Sequence, residues 1–249
     1  MNSDHLLVGS GLLAGAMNAL AGGGSFDTLP ALIAAGVPPV AANASSSLAL
    51  YPGGAVSAWV YRKDLGSVAG VSLGWLFLAS LSGGLIGGVL LLSTPSSLFD
   101  RVLPWLLLVA ALALAFGKNI APRFHGEAGA GSVTMLSGQF LLGVYGGYFG
   151  GAVGIMMMAF WSLTTRVDFM RLQAARTILV TAANTAAVVI FAVMHAVGWR
   201  EVLLLAPSAA VGGFLGAHLG RRLPQPLVRV ATVSLTMLVT VAFFVRAYS

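Results

Sequence analysis

The sequence predicts an all-α integral membrane protein made of two inverted repeats, each a broken or re-entrant helix pair plus about three full transmembrane helices. Three observations predict it. Hydrophobic residues make up 58% of the chain and charged residues only 8%, with mean hydropathy +0.92. A soluble globular chain carries about 25% charged residues. Apolar runs long enough to cross ~30 Å of hydrocarbon recur along the whole length, and alternating strands of about ten residues do not, which favours a helical bundle over a β-barrel. Glycine patterns of the first half return in the second at a nearly constant offset.

The first apolar segment covers about 5–21. It follows "MNSDHLLVGSGLL", which has an acidic residue and no basic one, the wrong start for a cleaved signal peptide, so the segment is expected to stay in place. The broken element "AGGGSFDTLPALIAAG" follows to about 36, and segment 2 covers about 40–60. "YRKDLGS" reads as a loop, segment 3 as about 67–92, "STPSS" as a turn and segment 4 as about 98–117. "GKNIAPRFHGEAGAGS" is the most polar stretch and reads as a central linker. The series then restarts at about 133–149, with a broken element to 163 and segments at 170–194, 200–219 and 226–246. The expected division is a first repeat at 1–118, a cytoplasmic linker at 119–132 and a second repeat at 133–249.

The restart is visible in residues. Gly15, Gly22 and Gly23 recur as Gly143, Gly150 and Gly151, an offset of 128. Gly83, Gly84 and Gly87 recur as Gly212, Gly213 and Gly216, an offset of 129. Two matches at nearly one offset, with the polar linker midway, predict an internal duplication. Charge makes the copies inverted. The loop after segment 2 is basic in the first half (Arg62, Lys63), whereas in the second half the loop after segment 3 is basic (Arg221, Arg222). If each broken pair makes no net crossing, Arg62, Lys63, Lys118, Arg123, Arg166, Arg171, Arg221, Arg222 and Arg229 share the cytoplasmic side. Arg101, Arg200 and Arg246 then lie outside with both termini, and Arg176 falls within the membrane. The expected location is a cell inner membrane, multi-pass. Parity alone leaves open whether the broken pairs are hairpins or true crossings.

Composition also excludes classes of function. The net charge of +6 comes from basic residues scattered singly or in pairs between apolar runs, the pattern of loop anchors and not of a nucleic-acid surface. Cysteine is absent, which removes disulfides, thiol catalysis and Cys-ligated metals; no metal site or cofactor is expected. No GxxxxGK[ST] sequence occurs, so the chain itself does not hydrolyse ATP. An intramembrane enzyme would need a base beside Ser25 or a second acid beside Asp27. The remaining acids fall in loops or near segment ends, so no enzyme is expected.

The broken elements are the candidate site. Unpaired backbone in hydrocarbon costs several kcal/mol per group, so a break at membrane depth must be buried or line a cavity. Gly22, Gly23 and Gly24 permit such a break. Ser25 or Asp27 is then expected to cap a short helix with Pro30 in its first turn, leaving an N-terminus that favours an anion. "GGYFGGAVG", with Gly150 and Gly151, supplies a facing N-terminus from the other repeat. The plainer reading, tight helix crossing, is expected for "SGGLIGG" and "VGGFLGAHLG". Polar residues gather near the same level: Asn43, Ser45, Ser46 and Ser47 in segment 2, and Thr177, Thr181 and Asn184 in its counterpart. Arg176 has three readings: an anion ligand, a partner of Asp27, or a snorkelling anchor. Asp27 is a candidate proton carrier or a cap. His195 and His218 read as structural, and Trp59, Trp105 and Trp199 as interfacial anchors.

The run "AGGGSFDTLPALIAAGVPPVAANASSSLALYPG" resembles the sulfite exporter TauE/SafE family, also called the toluenesulfonate uptake permease family. The likeness rests on Gly22–Gly24, Pro30, Ala31, Leu32, Gly36, Pro38, Pro39 and Ala42–Ser45, with further matches in the second-half glycine break and at Gly213–Pro224. It covers essentially the whole chain. Position 27, apolar in the family pattern, is Asp27 here, and Ser45 stands where threonine is more usual. The resemblance implies a secondary carrier of a small sulfur-containing anion, sulfite or an organosulfonate, by alternating access. An anion channel and a carrier of another small organic anion, such as a carboxylate, are the alternatives. The expected partners are the substrate and the lipid bilayer, with proton or ion coupling and a homodimer both open.

Overall fold

The structure is a computed structural model that describes residues 3–21, 23–61, 68, 70–120, 131–164, 169–220 and 225–248. Its regular elements are helices: α1 (Ser3–Ala21), α2 (Ser25–Ala34), α3 (Pro39–Tyr61), α4 (Leu73–Ser93), α5 (Ser96–Ile120), α6 (Ser132–Tyr148), α7 (Val153–Thr164), α8 (Phe169–Val193), α9 (Trp199–Gly220) and α10 (Gln225–Tyr248). Gly22, the basic loop residues Arg62, Lys63, Arg166, Arg221 and Arg222, and Arg123 in the linker lie outside the described residues. The stretches Leu73–Ser93, Ser96–Ala113, Ala174–Val193 and Val230–Tyr248 are long and apolar enough to cross a membrane. Helices α3 and α9, at 23 and 22 residues, are as long, but serine, glycine and proline dilute their apolarity.

The short helices follow from local chemistry. Gly24, and neither Ser25 nor Asp27, is the N-cap of α2, and no side-chain oxygen caps its first amides. Its carbonyl accepts from the Asp27 and Thr28 amides and from the Thr28 hydroxyl. This corrects the expected serine or aspartate cap, and Pro30 sits inside the helix instead of in its first turn. At the other end, Gly36 adopts φ +90°, with Gly36 N bonded to Ile33 O and Val37 N to Leu32 O. That double bond stops a helix at a left-handed residue, and Pro38 and Pro39 then start α3. The 10 residues of α2 and 12 of α7 rise only about 15 and 18 Å, half of a hydrocarbon layer. Each folds back on the helix before it. Ser10 Oγ donates to Asp27 O at 2.9 Å, and Gly24 meets the Ala14 backbone. In the second half Gly146 faces Val153, and Gly138 faces the Phe160 ring. Both broken pairs are hairpins.

In lipid no hydrophobic force draws one apolar helix to another, so close packing must hold the bundle. Small residues supply it. Helix α1 lies along α9, with Gly212 against Leu12 O, Gly216 against Ala16 and Gly15 against Ala209. Helix α4 lies along α6, with Gly83 against Phe140 O, Gly87 against Val144 O and Gly143 against Ser80. Residue numbers rise together in both pairs, so each pair is parallel. Gly84 and Gly88 meet Ala183 and Ala187, which makes α4 parallel to α8. Contacts of Gly54 with Thr181 and of Tyr51 with Thr185 make α3 and α8 antiparallel. Ser45 near the start of α3 meets Gly198 just before the start of α9, so α1, α3 and α9 run one way and α4, α6 and α8 the other.

Two apolar clusters fill the bundle. One gathers Leu7, Phe26, Leu29, Leu32, Ala44, Phe99, Leu103, Phe149, Phe191 and Leu205 where α1, α3, α5 and α9 begin. The other gathers Leu76, Met135, Met157, Trp161, Leu172, Ala175 and Leu179 where α4, α6 and α8 begin. On the face where α1 and α9 start, Arg200 pairs with Asp4 at 2.7 Å and Arg246 with Asp100 at 3.4 Å. Tyr248 donates to Arg101 O, so Arg101, Arg200 and Arg246 share one face. Trp59 and Trp199 are exposed near helix ends, as interfacial anchors are, whereas Trp105 is exposed on the third turn of α5, its Nε1 donating to the Tyr248 hydroxyl.

Candidate functional site

A cavity of about 300 Å³ opens where the two hairpins approach the middle of the bundle. Ser25 at the start of α2 and Gly150, Val153, Gly154 and Ile155 at the start of α7 form two of its walls. Helix α3 contributes Ser47, Tyr51, Gly54 and Ser57, one face at helical spacing, and α8 contributes Arg176, Thr177, Thr181 and Asn184, another. Asn18, at the end of α1, completes it. The first amides of a helix have no intrahelical acceptor and carry partial positive charge. Two such starts therefore face one space. Among the described residues the lining contains one cation, Arg176, several hydroxyls and amides, and no carboxylate.

Local packing sets these groups. Gly150 takes φ +79° and Ala152 φ +56°, so the chain turns sharply from α6 into α7. A β-carbon on Gly154 would lie 3.3 Å from Arg176 Cδ and 3.4 Å from its Nε, so the arginine crosses the first turn of α7 at close contact. Thr181 Oγ1 donates to Thr177 O at 2.8 Å and to Gly54 O at 3.2 Å, pinning α8 to α3. Tyr51 and Thr185 share a hydrogen bond of 2.9 Å.

Of the sequence-predicted site residues, Ser25, Gly150, Arg176, Thr177 and Asn184 meet in this cavity. Gly22 lies outside the described residues. Gly23 packs on Phe26 and Thr232, Gly24 on Ala14, and Gly151 on the Phe149 ring, so these glycines shape the hairpins. Asn43, Ser45 and Ser46 stand on the first turns of α3, beyond the cavity. Asn43 Nδ2 donates to Tyr148 O at 2.9 Å, Ser45 Oγ accepts from Gly198 N at 2.8 Å, and Ser46 shares a hydrogen bond with Thr28. Asp27 is two residues past Ser25, about 200° around the helix, and is absent from the cavity lining, while its main-chain carbonyl accepts from Ser10 of α1. It makes no ion pair with Arg176, and its buried Oδ2 has no hydrogen-bond partner. Arg176 is half-buried in the cavity wall, so pairing with Asp27 is not the reading that the geometry selects. The sequence reading missed Asn18, Tyr51 and Ser57. Tyr51, Gly54 and Ser57 continue the Ser47 face at helical spacing, a signal that could have found them.

Comparison with known proteins supplies the family. The family model described as "Sulfite exporter TauE/SafE" matches residues 7–243. A "Probable membrane transporter protein" of Haemophilus influenzae is 26% identical, over 91% of this chain and 90% of its own. One from Sinorhizobium sp, "ORF9", is 27% identical over 94% of this chain and 88% of its own. The "Probable membrane transporter protein YfcA" of Escherichia coli K12 is 27% identical over 85% and 77%. No solved structure matches. With a hairpin-bearing helical bundle and a family model that spans nearly all of it, the chain is a membrane protein of the sulfite exporter TauE/SafE family.

Proposed function

We propose that the chain is a secondary transporter that moves a small sulfur-containing anion, sulfite or an organosulfonate, across a cell membrane by alternating access. The observation that carries this reading is the meeting of two half-length helix starts with Arg176 around one cavity. Helix N-termini favour negative charge, and a guanidinium binds tetrahedral or planar oxyanions through two parallel hydrogen bonds. The family description and the printed names of the relatives support transport over other membrane functions.

In this reading the two halves are inverted repeats, 1–118 and 133–249, joined by the linker 119–132. Three pairings support it. The α1–α9 contact answers the α6–α4 contact at the same offsets, Leu12 with Gly212 as Phe140 with Gly83. The corresponding helices α1 and α6 run in opposite directions. The two apolar clusters also correspond, with Leu205 and Leu76 in matching places, an offset of 129. Substrate sites at the interface of such repeats are the geometry of secondary transporters. The face holding Asp4, Arg200 and Arg246 is then the outer one, and both termini are outside. Asp27, with an unbonded buried oxygen beside the first half-helix, is the coupling residue of this reading.

Purified protein screened by thermal shift against sulfite, thiosulfate, sulfoacetate, taurine and carboxylates tests the substrate class. Stabilisation by the sulfur oxyanions is expected. Stabilisation by carboxylates alone would replace the sulfonate reading with that of an organic-acid carrier.

A further inference from the structure

Among the described residues, the cavity opens toward the end of α1. Its lining takes Asn18 and Ala19 from the end of α1, Ser47 to Ser57 from the middle and later part of α3, and residues 176–184 from the earlier part of α8. Asn18, Ala19 and Gly53 are exposed and mark the mouth. On the opposite side, where α3 and α9 start, the path is sealed. Continuing from Ser47 toward that face, α3 presents Ser46, Ser45 and Asn43, each at most 1% exposed. The three are tied to three different parts of the bundle: Ser46 to Thr28 of α2, Asn43 to the last carbonyl of α6, and Ser45 to the Gly198 amide in the α8–α9 turn. Asn43 Oδ1 is buried without a hydrogen bond. Asn43 lies on the Ser47 side of α3 and Ser46 flanks it, whereas Ser45, about 160° around the helix from Ser47, fastens the back of α3 to the α8–α9 turn. Buried polar side chains held by single bonds, with Asn43 Oδ1 unsatisfied, form a costly core and a serviceable seam.

We propose that this seam is the gate on the far side of the transport path, and that the Ser45–Gly198 hydrogen bond is its latch. The structure is then the state open at the end of α1, and opening the latch carries Ser46 and Asn43 into the path. This inference rests on the alternating-access reading above. It assigns a role to the "NASSS" residues that the cavity leaves outside. The latch is weak by design: one hydrogen bond from a backbone amide to a hydroxyl contributes little net free energy. Neighbouring apolar packing, Phe26, Phe149 and Leu205 among it, seals the rest.

The chain has no cysteine, so single cysteines report cleanly. Ser46→Cys and Ala44→Cys are compared for reaction with a membrane-impermeant maleimide applied from the face of Asp4 and Arg200. Ala44 is 0% exposed on the apolar side of α3, and Ser46 is 1% exposed on the polar side. A gate predicts labelling of Ser46→Cys at least about tenfold faster than of Ala44→Cys, and faster again when Ser45→Ala removes the latch. Equal, slow labelling of both overturns the gate, whatever the substrate is. In the second arm, Ser45→Cys with Gly198→Cys is oxidised. Sulfite transport in vesicles is expected to stop and to return on reduction, while sulfite binding measured by thermal shift persists. Transport by the oxidised pair at the reduced rate overturns the latch and leaves the transporter reading standing. Maleimide labelling without any sulfite movement by the unmodified protein supports the gate and removes the sulfite assignment.

Discussion

Arg176 crosses Gly154 so closely that a β-carbon at 154 would stand 3.3 Å from its Cδ, and the same contact holds the guanidinium in the cavity wall. Gly154→Ala requires the arginine to give by a few tenths of an ångström, whereas Gly154→Val must displace it. Sulfite affinity should fall little in the first variant and by roughly tenfold, about 1.4 kcal/mol, in the second. Titration of both variants, with a thermal melt for folding, checks it. Equal affinity in Gly154→Val would show that the arginine's position does not matter.

Arg176→Ala should weaken sulfite binding by about tenfold to a hundredfold, the worth of one charged hydrogen-bonding group. Arg176→Lys should recover only part, because an ammonium lacks the two-pronged geometry. Arg246→Ala, which loses an exposed pair with Asp100, should bind as the unmodified protein does. Binding isotherms for the three variants settle this.

Gly84→Leu should destabilise the bundle by about 1–3 kcal/mol or more, since its β-carbon would enter the Ala183 backbone. Gly9→Ala, with nothing within 4 Å, should be neutral or stabilising by up to about 1 kcal/mol. Denaturation in mixed detergent would separate them. Similar losses in both would mean that helix propensity, and not close approach, decides.

Asp27→Asn keeps shape and removes the carboxylate from a site where Oδ2 has no partner. Folding and sulfite binding should survive, while stimulation of transport by a proton gradient disappears. Flux with and without the gradient checks this. Undiminished stimulation moves the coupling elsewhere.

Ala152 sits at φ +56°, in the left-handed region that costs a non-glycine residue about 1 kcal/mol. Ala152→Gly should relieve that strain and leave stability unchanged or slightly raised. A lower melting temperature would mean that the buried methyl of Ala152 contributes more than the strain removes.

The sequence made the helical bundle, the breaks and the small-residue crossings legible, because each leaves a mark in the residues themselves. Runs of apolar residues mark spans, Gly-Pro punctuation marks ends, and paired glycines mark places where backbones meet. The site was legible in part. Ser25, Gly150, Arg176, Thr177 and Asn184 come together because the helix starts and the middle of α8 were identifiable from breaks and charge. The cap was misread, because a glycine carbonyl can close a helix start without any side chain. Of the "NASSS" residues, Ser47 lines the cavity, whereas Asn43, Ser45 and Ser46 stand beyond it, tied to α6, the α8–α9 turn and α2. Which end of a cavity is open is a property of one conformation, and no residue pattern encodes it.

Uptake of labelled sulfite into vesicles, run side by side for the unmodified protein and Arg176→Ala, tests the central claim most directly. The account predicts saturable uptake above protein-free vesicles by the unmodified protein, and strongly reduced uptake by the variant. Uptake equal in both, or no uptake by either above protein-free vesicles, would contradict an anion carrier built on this cavity.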